Sequence, residues 1–169
     1  MYYVSVKAKR TTQSRGTSKS VRLPADLAAE AERRADELGL AFSDLVEAGL
    51  RRQVGWPANA TIELLEACAD SLRSMFPKRQ RFPQDVTLKM FRSIRLNGRL
   101  RAIYDAAILG PDGKVSELSR DAVHRRLGKM VKAVLDAEVI GRSAPVEAGV
   151  ELIRTHALLA PKATARRRS

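Results

Sequence analysis

Residues 18–55, SKSVRLPADLAAEAERRADELGLAFSDLVEAGLRRQVG, change their apolar period abruptly at one proline. Before it the residues alternate. Val21 and Leu23 are apolar, while Ser18, Ser20 and Arg22 project from the opposite face of an extended strand. Pro24 stops that strand and opens a helix, because its fixed φ suits the first helical position. From there the apolar residues fall nearly four apart, at Leu27, Ala31, Ala35 and Leu38. Gly39 is a helix C-terminal signal. A second helix follows, with Phe42, Leu45, Val46, Gly49, Leu50 and Val54 on one side. A chain with this stretch is committed to a short strand followed by two helices.

This order, with V-R-L-P from 21, Leu27, Gly39 and SDLVEAGLRR from 43, resembles the ribbon-helix-helix family of DNA-binding proteins. The expected fold class is mainly α, with one strand and two helices in the N-terminal motif and an α-helical C-terminal domain. A lone strand has two unpaired edges and is not stable by itself. No second copy of the pattern occurs in the chain, so an intertwined homodimer with a two-stranded antiparallel ribbon is expected. The resemblance implies that the ribbon lies in the major groove of double-stranded DNA. Ser18, Ser20 and Arg22 would then face the bases. Val21 and Leu23, with Leu27, Leu45, Val46, Gly49 and Leu50, would form the dimer core. Arg22 is the strongest reader, because a guanidinium bonds two guanine acceptors at once; contact with a phosphate is the rival role. The second helix begins near residues 41–43, where free N–H groups suit a phosphate. Ala41 stands where the family commonly has a hydroxyl, which leaves Ser43 as the nearby phosphate contact. Gly49 costs a helix about 1 kcal/mol relative to alanine. Either a close helix–helix seam or a tolerated substitution accounts for it.

The charge lies outside this motif. The chain has 169 residues and a net charge of +12, which points to a polyanionic partner, nucleic acid ahead of membrane. Yet residues 21–54 hold five bases and seven acids. The first helix carries Glu30, Glu32, Asp36 and Glu37 beside Arg33 and Arg34 on its outer face, which is expected to point away from DNA. Residues 1–17 read as a basic flexible arm, although MYYVSV favours a short strand. Arg10 and Arg15, with Lys19 beyond the arm, are candidate phosphate contacts. Residues 77–101 hold eight bases, Lys78, Arg79, Arg81, Lys89, Arg92, Arg95, Arg99 and Arg101, against the single acid Asp85. A second nucleic-acid surface, a dock for an acidic protein and a solvated basic face are its three readings. Aromatic residues are only 5%, which argues against single-strand binding by repeated stacking.

Beyond a boundary at Trp56-Pro57 the pattern is helical. Helices are expected at 59–76, 86–96, 99–109, 119–137 and 146–159, with a turn at 110–114 and a connector at 139–145. The expected domains are thus 1–17, 18–55, 56–160 and a basic tail, 161–169. One cysteine, Cys68, excludes an intramolecular disulfide and fits a small buried residue in a cytoplasmic protein. No apolar run is long enough for a membrane span. The two histidines form no metal-ligand cluster with cysteine, and no hydrolase or phosphate-loop motif occurs, so no cofactor, metal or catalytic residue is expected. The expected function is a dimeric, sequence-specific DNA-binding repressor. Its alternatives are a DNA-binding accessory of plasmid maintenance or conjugation, and an antitoxin whose C-terminal part binds a toxin. A protein partner for the C-terminal domain and a higher homo-oligomer remain compatible with the sequence.

Overall fold

The computed structural model describes residues 2–5, 20–55, 59–77, 81–110, 112–145, 152–153 and 155–162, with the backbone alone for 2–5 and 20–22. Its elements are β1 (Tyr2–Ser5), β2 (Ser20–Leu23), α1 (Ala25–Leu38), α2 (Phe42–Gln53), α3 (Ala60–Met75), α4 (Val86–Leu96), α5 (Gly98–Ala107), α6 (Glu117–Val134), β3 (Ala137–Arg142) and β4 (Ala157–Pro161). The fold is mainly α, with two antiparallel two-stranded sheets. Ser18, Lys19, Arg10, Arg15, Lys78, Arg79, Trp56 and Pro57 lie outside the described residues. No described helix is long and apolar enough to cross a membrane.

Helix α3 is the centre of the packing, in contact with α1, α4, α5 and α6. Its inward set is Ile62, Leu65, Cys68, Ala69 and Leu72, a period of three and four. Asn59 caps it, its side-chain oxygen accepting from the N–H groups of Thr61 and Ile62. Asn97 ends α4 and caps α5 in one residue, accepting from Arg99 and Leu100 N–H. Ser116 caps α6, and Val123, Leu127, Met130, Val131 and Val134 turn inward from it. Burial pushes the Cys68 thiol up to about 12, so it is a packing residue and not a nucleophile.

Three expectations change. First, β2 is not a lone strand. It pairs antiparallel with β1 of its own chain, Tyr2 opposite Leu23 and Ser5 opposite Ser20. The motif therefore has two strands per chain, and part of the 1–17 arm is one of them. Second, the boundary near residue 56 does not divide the core. One apolar cluster runs from Leu38, Leu40 and Ala48 through α3 to Leu159, and α1 packs on α6 and α3. Third, the described residues of the expected connector 139–145 and helix 146–159 include two strands and no helix, and 146–151 and 154 lie outside the described residues. Residues 137–142 and 157–161 form a β-hairpin, with a register shift between Val139 and Gly141. The run ALLAP is short and apolar, a pattern that helix and strand share. The Leu159 N–H donates to the Gln84 carbonyl at 3.0 Å, which ties the hairpin to the approach to α4.

Glu37 is a further correction, since it faces the core and not solvent. Arg73 of α3 reaches its carboxylate at 2.7 Å and Arg34 at 3.3 Å. Burial alone would raise its pKa; the Arg73 hydrogen bond and charge, then Arg34, outweigh burial and hold the carboxyl below its ordinary value. A depressed folded pKa adds stability that is complete above the unfolded value, about 4.3, and is lost as pH falls through the folded one. Glu37→Gln is therefore expected to lower the melting temperature at neutral pH. The gap to the parent protein should narrow steadily as the pH of the melting experiment falls to about 3.

Candidate nucleic-acid interface

The chain order β2–α1–α2 places a strand directly before two helices joined by a tight turn. Pro24 stands just before α1, and its carbonyl accepts the first helical bond, from Ala28 N–H at 2.9 Å. Gly39 takes the left-handed conformation, φ 64°, that ends α1. A side chain there would be strained by the backbone and would press on Lys129 of α6 at 3.3 Å. Ala41 precedes α2 and supplies no side-chain cap, and Ser43 is half-buried in its first turn.

Part of the apolar surface of the two helices is covered within the chain and part is not. Ala28, Ala35 and Leu38 of α1 and Ala48 of α2 are buried within the chain, with Leu45 partly buried beside them. The remaining apolar residues are uncovered: Leu27 is 52% exposed, Leu50 59% and Val54 62%. Val46 and Leu23 are half-buried. A Cβ added at Gly49 would meet nothing within 4 Å, so no packing inside the chain calls for that glycine. The seven residues expected in a dimer core thus separate. Leu45 faces its own chain. Leu27, Gly49 and Leu50 face outward, and Val21 is described by its backbone alone. The expected inward position Leu27 gives way to Ala28, because α1 turns its small-residue side to α6 and α3.

The helices of the motif carry four arginines against seven acids, and every arginine is paired. Arg33 pairs with Glu30, Arg34 with Glu37 and Asp70, Arg51 with Glu47, and Arg52 with Glu66 of α3. The basic stretch of 81–101 is less uniform than its composition suggests. Arg101 donates to both carboxylate oxygens of Asp105 at 2.9 Å and lies over the Tyr104 ring. That pairing raises the Arg101 pKa, so the charge persists but is matched locally. Arg92 is exposed and Arg95 half-buried, and both hold further interactions. Arg81, Lys89 and Arg99 are exposed and hold no ion pair with another described residue.

A second cationic region is not apparent from linear order. Helix α6 carries Arg125, Lys129 and Lys132 along one side, facing a cleft beside the β3–β4 hairpin. Their three- and four-residue spacing is visible in the sequence, but the opposing hairpin is not. His124 lies under this face, its Nε2 2.8 Å from the Tyr104 hydroxyl and its ring edge-on to Phe91 at 5.0 Å. Burial, then the Arg120 charge, depresses its pKa and keeps the ring neutral. Among the described residues no group of three or more His, Cys, Asp or Glu side chains stands together to hold a metal ion. Comparison with protein-family models, with curated proteins and with solved structures returned no match.

Proposed function

We propose that the chain is a homodimeric, sequence-specific double-stranded DNA-binding protein of the ribbon-helix-helix kind, acting as a transcriptional repressor. The observation that carries this reading is the exposure of Leu27, Leu50 and Val54, with open space at Gly49, on and at the end of the two helices that follow a short strand. An exposed apolar patch of this kind marks an association surface. A second copy is the natural occupant, because a two-fold axis lets the same patch meet itself. Strand β1 occupies one edge of β2, and the other edge is left to pair with the second copy's β2. Arg22, with Ser18 and Ser20, would then read bases, while Ser43, Lys19, Arg10 and Arg15 hold phosphates. The net charge of +12 supplies the attraction to a polyanion. Service in plasmid maintenance or conjugation uses the same chemistry. An antitoxin role has less support, since the residues after 56 carry most of a continuous apolar core and not a detachable tail.

The test is the salt dependence of duplex binding. Removing everything after residue 76 would delete core residues such as Phe91 and Leu127, so point variants are needed. Lys89→Ala with Arg99→Ala is expected to reduce the slope of log affinity against log salt by about 0.9 for each phosphate that is no longer neutralised, without a change in melting temperature. An unchanged slope assigns the 81–101 surface to another task. Absence of any salt-sensitive duplex binding by the parent protein overturns the function itself.

A further inference from the structure

Helix α6 and the β3–β4 hairpin bound a cleft of about 1020 Å³, to which α4 contributes Thr87 and Phe91. That is at the upper end of the size of small-molecule sites. Three features of its lining are unexplained by the fold. Arg125, Lys129, Lys132 and Arg142 line it, and none of the four pairs with a carboxylate among the described residues. Among the described lining residues the acids are Glu117, already paired with Arg120, and Asp121, against those four cations. His156 also lines the cleft and is only 9% exposed, yet its Nε2 has no hydrogen-bond partner. Its other nitrogen, Nδ1, lies 3.0 Å from the Ser143 hydroxyl, and that oxygen also accepts the His156 backbone N–H at 3.1 Å. A buried polar atom without a partner is rare in a finished fold, but this one is sealed from the cleft and offers a ligand no hydrogen bond. Finally, Gly128 sits inside the 18-residue α6, where glycine is disfavoured, and a Cβ there would meet nothing within 4 Å. No neighbouring side chain requires it to be small.

We propose that this cleft binds a nucleoside phosphate, its phosphates held by Lys129, Lys132, Arg125 and Arg142 and its base laid against the apolar part of the wall. The missing side chain at Gly128 lets the ligand lie against the helix backbone. Unpaired cations on both walls suit a phosphate chain, and half-exposed Val139 and Leu152 offer apolar surface to a base or ribose. Lys129 also packs against Gly39 of the proposed DNA reader, so nucleotide binding is measured without DNA present.

The experiment is isothermal titration of the full chain with ATP, GTP and inorganic phosphate, repeated on Gly128→Leu and on Lys129→Ala with Lys132→Ala. Saturable binding of at least one nucleotide is expected, at least about tenfold tighter than inorganic phosphate. Gly128→Leu fills open space and favours the helix, so the variant should keep the parent circular dichroism and melting behaviour. It should nevertheless lose about tenfold or more in nucleotide affinity, and the double lysine variant should lose a comparable factor. Three results overturn the proposal: no saturable nucleotide binding, inorganic phosphate binding as tightly as the nucleotides, or nucleotide affinity unaffected by both variants.

Discussion

If the chain pairs as proposed, Leu50→Asp is expected to convert the dimer to monomer. Leu50 is 59% exposed in the single chain and stands beside Gly49, where nothing lies within 4 Å of a built Cβ. If α2 meets its two-fold mate there, burying a leucine is worth about 1.5–3 kcal/mol on each side. A symmetric interface counts the substitution twice, so the cost is about 3–6 kcal/mol before any repulsion between the two carboxylates. The dimer dissociation constant should therefore rise by about a hundredfold to ten-thousandfold. Sedimentation equilibrium over a range of concentrations reads this directly. The circular dichroism of the monomer should be preserved, because Leu50 contributes little to the core of its own chain. A dimer of unchanged strength would remove α2 from the interface.

The second large effect separates two leucines of one helix. Leu38 is 0% exposed at the end of α1, in the cluster that joins it to α3 and α6. Leu38→Ala is expected to cost about 2–5 kcal/mol, a transfer term plus the cavity left behind. Against a total stability of about 5–15 kcal/mol this is severe. Leu27 is 52% exposed at the other end of the same helix. Leu27→Ala should change the unfolding free energy of the monomer by less than about 0.5 kcal/mol while weakening the dimer. Urea denaturation at low protein concentration, paired with sedimentation, distinguishes the two. Equal costs for both leucines in the monomer would contradict the difference in burial.

Both effects turn on which apolar residues are covered, and no linear pattern supplies that. The helical elements were legible, because Ile62, Leu65, Ala69 and Leu72 keep a helical period and Asn97 is a cap residue between two apolar runs. The division of apolar residues between inside and outside was not. Leu45 and Leu50 look equivalent on a single apolar side of α2, and only the position of α3 and α6 shows that one is covered and the other is not. Glu37 reads as a surface acid beside Arg33 and Arg34. Its burial depends on Arg73, a residue of another helix. The β3–β4 hairpin was missed because ALLAP fits strand and helix alike, and its pairing with 137–142 is non-local. The cleft needed both α6 and that hairpin, so it had no signature in either segment alone. The strand β1 was half legible, in the β-favouring content of MYYVSV, but its pairing to 20–23 was not.

Each arginine of α1 and α2 has a carboxylate partner, so the motif proposed to read DNA adds little unmatched charge of its own. Part of the remaining positive charge is absorbed at Arg101 by Asp105, and part faces the α6 cleft. Under the proposed function, specificity would come from the ribbon and much of the affinity from surfaces elsewhere in the chain. The most direct measurement is selection of bound duplexes from a random pool by the full-length protein, at a fixed and stated salt concentration. A dimeric ribbon reader predicts enrichment of one short two-fold symmetric motif. Failure to enrich any duplex sequence over the input pool would contradict it.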